Sequence, residues 1–278
     1  MSGILTVVGT PLGNLGDMSP RAVEALRQAD FIAAEDTRVT LKLLNHFEIK
    51  KPMISYFEHN RKFHGELICQ KLEAGENCAL VSDAGMPAIS DPGEDLVRLC
   101  GEKGITVSVV PGPSALIAAL AVSGLPTGRF TFEGFLSKNK KNRKDHLEQV
   151  KNETRTMIFY EAPHKLYACL RDMYACWGDR RIAVVHELTK IHEEVFRTTL
   201  KEAAERYSEG NIKGEFVLVI EGAMPEEAQE AYSLEQAVEI AVRLMKEQGV
   251  SAPEAAKTAS QRTGLKKGDI YKGALAGD

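Results

Sequence analysis

CALVSDAGMPAISDPG, residues 78–93, sets a four-residue apolar run against a connector rich in Gly, Pro and acids. A short apolar run bounded by turn formers reads as a buried strand, and this one ends in Asp83. The same pattern recurs on both sides: ILTVVG at 4–9, FIAAED at 31–36, ITVSVV at 105–110, TMIFYEA at 156–162, RIAVVHEL at 181–188 and FVLVIEG at 216–222. Helix-length amphipathic segments separate these runs, which predicts an α/β architecture with largely parallel strands. Open α/β sheets bind ligands at the carboxyl ends of their strands, so connectors such as 82–93 are where chemistry is expected.

The punctuation agrees with this reading. Ser19 is placed to N-cap a helix with Pro20 at its first position, and Gly75 and Gly104 are placed as helix stops. PSALIAALAVSG (113–124) is a nearly all-apolar helix that either joins two lobes or lies beneath a ligand. After Gly222 the strands stop. A proline–acid stretch, MPEEAQE (224–230), leads into helical segments at 233–248, 251–261 and about 267–275. The last two, parted by Thr263-Gly264, have helix-turn-helix spacing. The expected units are α/β lobes at 1–112 and 113–224 and a helical domain at 230–278.

Composition narrows the function classes. The chain has 278 residues, enough for more than one packed unit, and a formal net charge of −4, so nucleic-acid contact must come from local basic patches. The longest apolar run near the start, Ile4 to Val8, is too short to span a membrane or form a signal-peptide core, and no charged stretch precedes it, which predicts a cytoplasmic protein. The five cysteines form no C-x-x-C pair, so neither a disulfide framework nor a zinc site is expected. Cys169 shares a helical face with Leu166, Met173 and Cys176 and reads as part of a buried stripe. His59 and His64 lack a third ligand, so no metal is expected. His186 reads as a core group, and His164 as a capping or packing residue before a catalytic one.

VVGTPLGNLGD (7–17) spaces its glycines as G-x3-G-x2-G. That matches neither the dinucleotide nor the phosphate-loop fingerprint, so a nicotinamide-dinucleotide oxidoreductase is only a secondary reading. The plain alternative is a βα loop whose glycines serve positive φ. VSDAGMPAISDPG (81–93) carries two Ser-Asp pairs that turn formation does not require. VVPGPSA (109–115) repeats the theme of strand, rigid turn and helix N-terminus.

Six ordered motifs, AEDTR (34–38), SDAGMPAISDPG (82–93), PGPSALIAAL (111–120), FYEAPH (159–164), ELTKIHEE (187–194) and GEFVLVI (214–220), resemble the tetrapyrrole-methylase-like (class III) methyltransferases, on the branch that acts on small-subunit ribosomal RNA. The resemblance runs from about residue 4 to 222, and the tail is similar to that branch's C-terminal extension. It implies a two-lobed fold with S-adenosylmethionine in the cleft, methylation of a cytidine ribose 2′-oxygen in the decoding region of 16S rRNA, and a homodimer. Small-subunit rRNA, free or in the assembled subunit, would be the partner. Carried over by motif, the cofactor contacts are Pro11, Leu12, Asp83, Ala84, Gly85, Met86, Pro87, Pro113, Ser114, Ala115, Tyr160, Glu161 and the strand end at Glu187-Leu188. Tetrapyrrole methylases share the cleft and are the nearest alternative.

Methyl transfer from a sulfonium is an in-line displacement that requires alignment of three atoms and, for a hydroxyl nucleophile, a base. Glu35, Asp36 and Glu187 fall at strand ends facing the expected cleft. The candidate catalytic set is Asp36 or Glu187 as proton acceptor, with Arg38 and Lys190 on adjacent phosphates. The alternative is that Asp36–Arg38 and Glu187–Lys190 are ion pairs that orient loops. For RNA, KNKKNRK offers Lys138, Lys140, Lys141, Arg143 and Lys144 after the strand RFTFEGFL, and the tail adds Lys257, Arg262, Lys266, Lys267 and Lys272. Tyr271 is placed to stack on a base or to close the small core.

Overall fold

The computed structural model describes residues 2–209, 212–224, 233–263 and 265–276. The acidic linker 225–230 and Gly264 lie outside the described residues, as does the side chain of Arg262. The chain divides into two compact units, Met1–Ala223 and Met224–Asp278.

The first unit holds two five-stranded sheets. In the first, β1 (Ile4–Val8), β2 (Phe31–Ala34), β3 (Met53–Ser55), β4 (Cys78–Val81) and β5 (Thr106–Val110) run in the order β3-β2-β4-β1-β5, all parallel. Alternation along each strand divides the core. Leu5, Val7, Phe31, Ala33, Cys78 and Leu80 pack on α3 (Arg61–Glu73) and α4 (Gly93–Glu102) through Ile68, Leu72, Leu96 and Cys100. Val8, Ile32, Ala34, Ala79 and Val81 pack on α1 (Pro20–Gln28) and α2 (Thr37–His46) through Ala22, Leu26 and Leu44. Burial on both faces explains why these strands read as continuous apolar runs. The Ser19 side chain accepts from the Ala22 N–H at 3.1 Å, and Gly75 and Gly104 have φ of 99° and 68°, as the sequence predicts.

The second sheet is mixed, a point the sequence leaves open. Its strands β6 (Phe130–Phe135), β7 (Thr156–Glu161), β8 (Arg181–His186), β9 (Glu194–Thr199) and β10 (Phe216–Ile220) lie in the order β6-β7-β10-β8-β9, and β6–β7 is their one parallel pair. A short turn at 187–193 folds β9 back on β8 as a hairpin, which forces antiparallel pairing, and β10 returns between β7 and β8. α5 (Ala115–Ser123) covers one face through Leu116, Ala119 and Leu120. α6 (Lys140–Gln149), α7 (Pro163–Trp177) and α8 (Leu200–Arg206) cover the other.

The second unit is a small helical bundle of α9 (Leu234–Gln248), α10 (Ala252–Thr263) and α11 (Lys267–Ala276). Ser233 and Gln236 form a reciprocal capping box at its start. Its core is mostly alanine, Ala237, Ala241, Ala255, Ala256, Ala259 and Ala274, with Leu244 and Ile270, so the helices approach closely. A Cβ on Gly273 would lie 2.3 Å from Val238 Cγ2. Lys257, Lys266, Lys267 and Lys272 are exposed, and Tyr271 packs against the core. No helix among the described residues is long and apolar enough to cross a membrane.

Candidate functional site

The loops leaving adjacent β1 and β4 are tied together: Thr10 N–H donates to the Gly85 carbonyl at 2.9 Å and Gly85 N–H to the Thr10 carbonyl at 3.1 Å. The first-loop glycines serve close approach. None of Gly9, Gly13 and Gly16 has positive φ, which corrects the expectation of a φ-driven loop. A Cβ on Gly9 would lie 2.6 Å from Gly112 Cα, and one on Gly13 would lie 2.5 Å from Lys190 Cγ. Gly112→Ala is therefore expected to wedge β1 from the turn after β5, lowering stability by about 1–3 kcal/mol in chemical denaturation.

The loop after β4 is built around Asp91. Its Oδ1 accepts from the Ala88 N–H at 3.0 Å and the Gly93 N–H at 2.7 Å, holding Ala88 and Ser90 at φ of 66° and 64°. Non-glycine residues adopt that conformation at a cost that surrounding structure must offset, and such strain concentrates at functional sites.

Between the lobes lies a cleft of about 470 Å³. Leu12, Asp83, Ala84, Gly85, Met86, Ser114, Ala115, Tyr160, Glu161 and Leu188, all carried over by motif, line it. Pro11, Pro87 and Pro113 do not: Pro11 is buried, Pro87 lines a neighbouring groove, and the Pro113 carbonyl backs Gly85. Glu35, expected at the cleft from its strand end, lines it, and Ile89, Ser90, Asp91, Phe135, Glu215 and Phe216 also line it without having been named as contacts. Glu215 and Phe216 sit in the quoted GEFVLVI and Phe135 ends the strand RFTFEGFL, so strand-end position was the usable signal.

Five carboxylates, Glu35, Asp83, Asp91, Glu161 and Glu215, line the cleft among the described residues, and no Lys or Arg does. Burial, and then the charges of Asp83 and Asp91, hold the Glu35 carboxyl above the usual carboxylate range. Burial likewise raises Asp83 and Asp91.

The four candidate catalytic residues are paired with one another. Arg38 holds Asp36 at 2.6 Å and drives its carboxyl down to about 2, while Asp36 also caps α2 through the Arg38 N–H. Lys190 donates to Glu187 at 2.8 Å and to Glu215 at 3.1 Å, lowering the Glu187 carboxyl. Glu187 also accepts from the Glu215 N–H at 3.1 Å, and it and Thr189 have positive φ. A carboxylate held by a cation is a weak proton acceptor, and these two pairs brace the loops after β2 and β8.

The basic run divides. Lys138, Lys140, Lys141 and Lys144 are exposed. Arg143 is buried, donating to Asp172 at 2.7 Å and to the Ser137 carbonyl at 3.2 Å, so it anchors α6 and is withdrawn from phosphate contact. His186 stacks on Phe216 with centroids 4.3 Å apart, and His164 is exposed and does not line the cleft. No group of three potential metal ligands occurs among the described residues.

This two-lobed fold, with its cleft at strand ends, defines a methyltransferase class: the chain belongs to the tetrapyrrole (corrin/porphyrin) methylase family, whose sequence profile matches residues 5–204. It is 49% identical to the ribosomal RNA small subunit methyltransferase I of Synechocystis sp., over 97% of this chain and 96% of that protein. The protein of the same name from Bacillus subtilis is 44% identical over 97% and 93%. In fold it is similar to uroporphyrin-III C-methyltransferase from Thermus thermophilus, solved with S-adenosyl homocysteine, at TM-score 0.54 and 19% identity over 78% of this chain and 96% of that one.

Proposed function

We propose that this protein is an S-adenosylmethionine-dependent methyltransferase of small-subunit ribosomal RNA, and that it methylates the ribose 2′-oxygen of a cytidine in the decoding region of 16S rRNA in the cytoplasm. The observation that carries the cofactor reading is the charge of the cleft. Glu35, Asp83 and Asp91 keep one wall acidic even though Glu161 and Glu215 are paired with Lys165 and Lys190, and that favours a sulfonium cation, whereas a nicotinamide dinucleotide would place two phosphates against the same acids. The cleft also fits the rest of the cofactor, since Leu12, Met86, Val185 and Leu188 give an apolar wall and Asp83 a hydroxyl acceptor. S-adenosylmethionine supplies the electrophilic methyl group when bound.

The chain's own residues do the remaining work. The Thr10–Gly85 bridge and the Asp91-centred loop fix the cleft floor before ligand arrives. Glu35 receives the hydroxyl proton as the new C–O bond forms. The Asp36–Arg38 and Glu187–Lys190–Glu215 pairs hold the rims, and the exposed lysines after β6 and on the tail meet backbone phosphates. A tetrapyrrole substrate gives no reason for those lysines, and the full-length relatives bear the rRNA enzyme's name.

A homodimer is part of the proposal. An apolar groove of about 680 Å³ runs beside edge strand β5, where Ile89, Val109 and Ile117 are exposed, and a second copy would cover them.

Calorimetry tests the cofactor reading: S-adenosylmethionine should bind and a nicotinamide dinucleotide should not, and the reverse pattern would overturn it. For the RNA surface, replacing Lys138, Lys140, Lys141 and Lys144 together with Gln should weaken RNA affinity and reduce the magnitude of the slope of log affinity against log salt by about 3. Arg143→Ala should instead lower the unfolding midpoint.

A further inference from the structure

The geometry points to Phe135 as the platform on which the target nucleobase stacks, an inference that rests on the RNA methyltransferase reading above. Along β6 the pairing with β7 shifts register. Phe132 lies opposite Ile158, whereas Phe135 lies opposite Tyr160, so three residues of β6 span two of β7. Gly134, at φ 65°, absorbs the extra residue. In a regular strand Phe132 and Phe135 would face opposite sides, but the bulge turns Phe135 onto the same side. Both rings meet Tyr160 edge-on, with centroids at 4.9 and 5.5 Å.

The redirected ring ends in the cleft wall and remains 54% exposed, unlike the buried Leu136 beside it. Exposure alone would not single the ring out, since Phe63 is 75% exposed; its place in the cleft wall and the bulge that turns it there do. It is braced from behind: Lys165 Nζ lies 5.7 Å from the ring centroid, and donates to the Leu136 carbonyl at 3.0 Å and Glu161 at 2.7 Å. Across the bulge, the position of a Cβ on Gly134 is 3.7 Å from Ser90 Oγ on the strained loop after β4, so the ring borders the mouth where the two lobes meet.

Charge sets the direction of the ligand. On one side of Phe135 is the carboxylate-lined cleft, and three to nine residues further along the chain are the exposed Lys138, Lys140, Lys141 and Lys144. A nucleotide with its phosphates toward the lysines and its ribose toward Glu35 places its base on this ring. Base–aromatic stacking accepts any base, so Phe135 would supply affinity and orientation, and base identity would be read elsewhere.

The test compares Phe135→Ala, Phe135→Leu and Phe135→Trp in the full chain, each assayed for transfer to small-subunit RNA and for S-adenosylmethionine affinity by calorimetry. Ala and Leu are expected to raise the KM for RNA about 5- to 150-fold. Cofactor affinity should stay within about twofold of wild type, and Trp should retain most of the activity, because the lost quantity is a π face. If Leu matches wild type, the ring is apolar filling and the inference fails. If cofactor affinity falls in step with activity, the ring belongs to the cofactor and the inference fails. A wild-type protein that methylates no RNA overturns the parent reading itself, an outcome distinct from both.

Discussion

Glu35→Gln is expected to lower kcat for methyl transfer by about 10²- to 10⁴-fold, the usual contribution of a positioned base, while leaving S-adenosylmethionine affinity within a few-fold. Glu35 lies in the cleft wall and has its proton affinity raised by burial and by Asp83 and Asp91. The sign of the pH dependence follows. The base must be ionised, so activity falls as pH drops through its pKa, and the acidic limb of the wild-type profile should lie above the position of an ordinary glutamate. Asp83→Asn removes a like charge, favours the ionised form and should move that limb to lower pH. In Glu35→Gln the limb should vanish from the residual rate. Asp36→Asn, by contrast, should loosen the start of α2 without abolishing it. A normal kcat in Glu35→Gln would return the base role to another group.

Lys165→Met is expected to destabilise the first unit by about 3–5 kcal/mol, because it strands a buried carboxylate. The Glu161 side chain is 1% exposed and Lys165 12%, with Nζ 2.7 Å from Oε1. Glu161 Oε1 also accepts from the Ala162 N–H at 2.8 Å, and Oε2 from the Cys169 thiol at 2.6 Å. One carboxylate thus joins the end of β7, the start of α7 and, through Lys165, the chain after β6. The Tm should fall by about 2–4 °C for each kcal/mol lost. Adding Glu161→Gln should restore most of that loss, since a neutral amide needs no counter-charge yet keeps an acceptor for Ala162. A Lys165→Met variant as stable as wild type would contradict the role given to this buried ion pair.

The parts legible from sequence were those where local chemistry decides. Runs such as FIAA and CALV are apolar because both sheet faces are covered, Ser19-Pro20 reports a helix start, and the strand-end connectors mark the cleft. What was hidden depends on long-range pairing. β3 and β9 are edge strands with half-buried or polar residues, so neither gave an apolar run. The antiparallel insertion of β10 between β7 and β8 leaves no local trace. Arg143 looks like its lysine neighbours until Asp172, 29 residues away, is folded against it. Asp36 and Glu187 are acids at strand ends with cations, Arg38 and Lys190, two and three residues along, so the sequence leaves a base and a loop-orienting ion pair both open, and the fold closes the pairs while Glu35 lies in the cleft wall.

The central claim is tested most directly by incubating the protein with labelled S-adenosylmethionine and small subunits, or their free RNA, from cells lacking this gene, then digesting the RNA to nucleosides for mass spectrometry. The account predicts a methyl group on a cytidine ribose, absent without protein. Binding of the cofactor with no transfer to either RNA substrate would contradict it and reassign the cleft to a small-molecule acceptor.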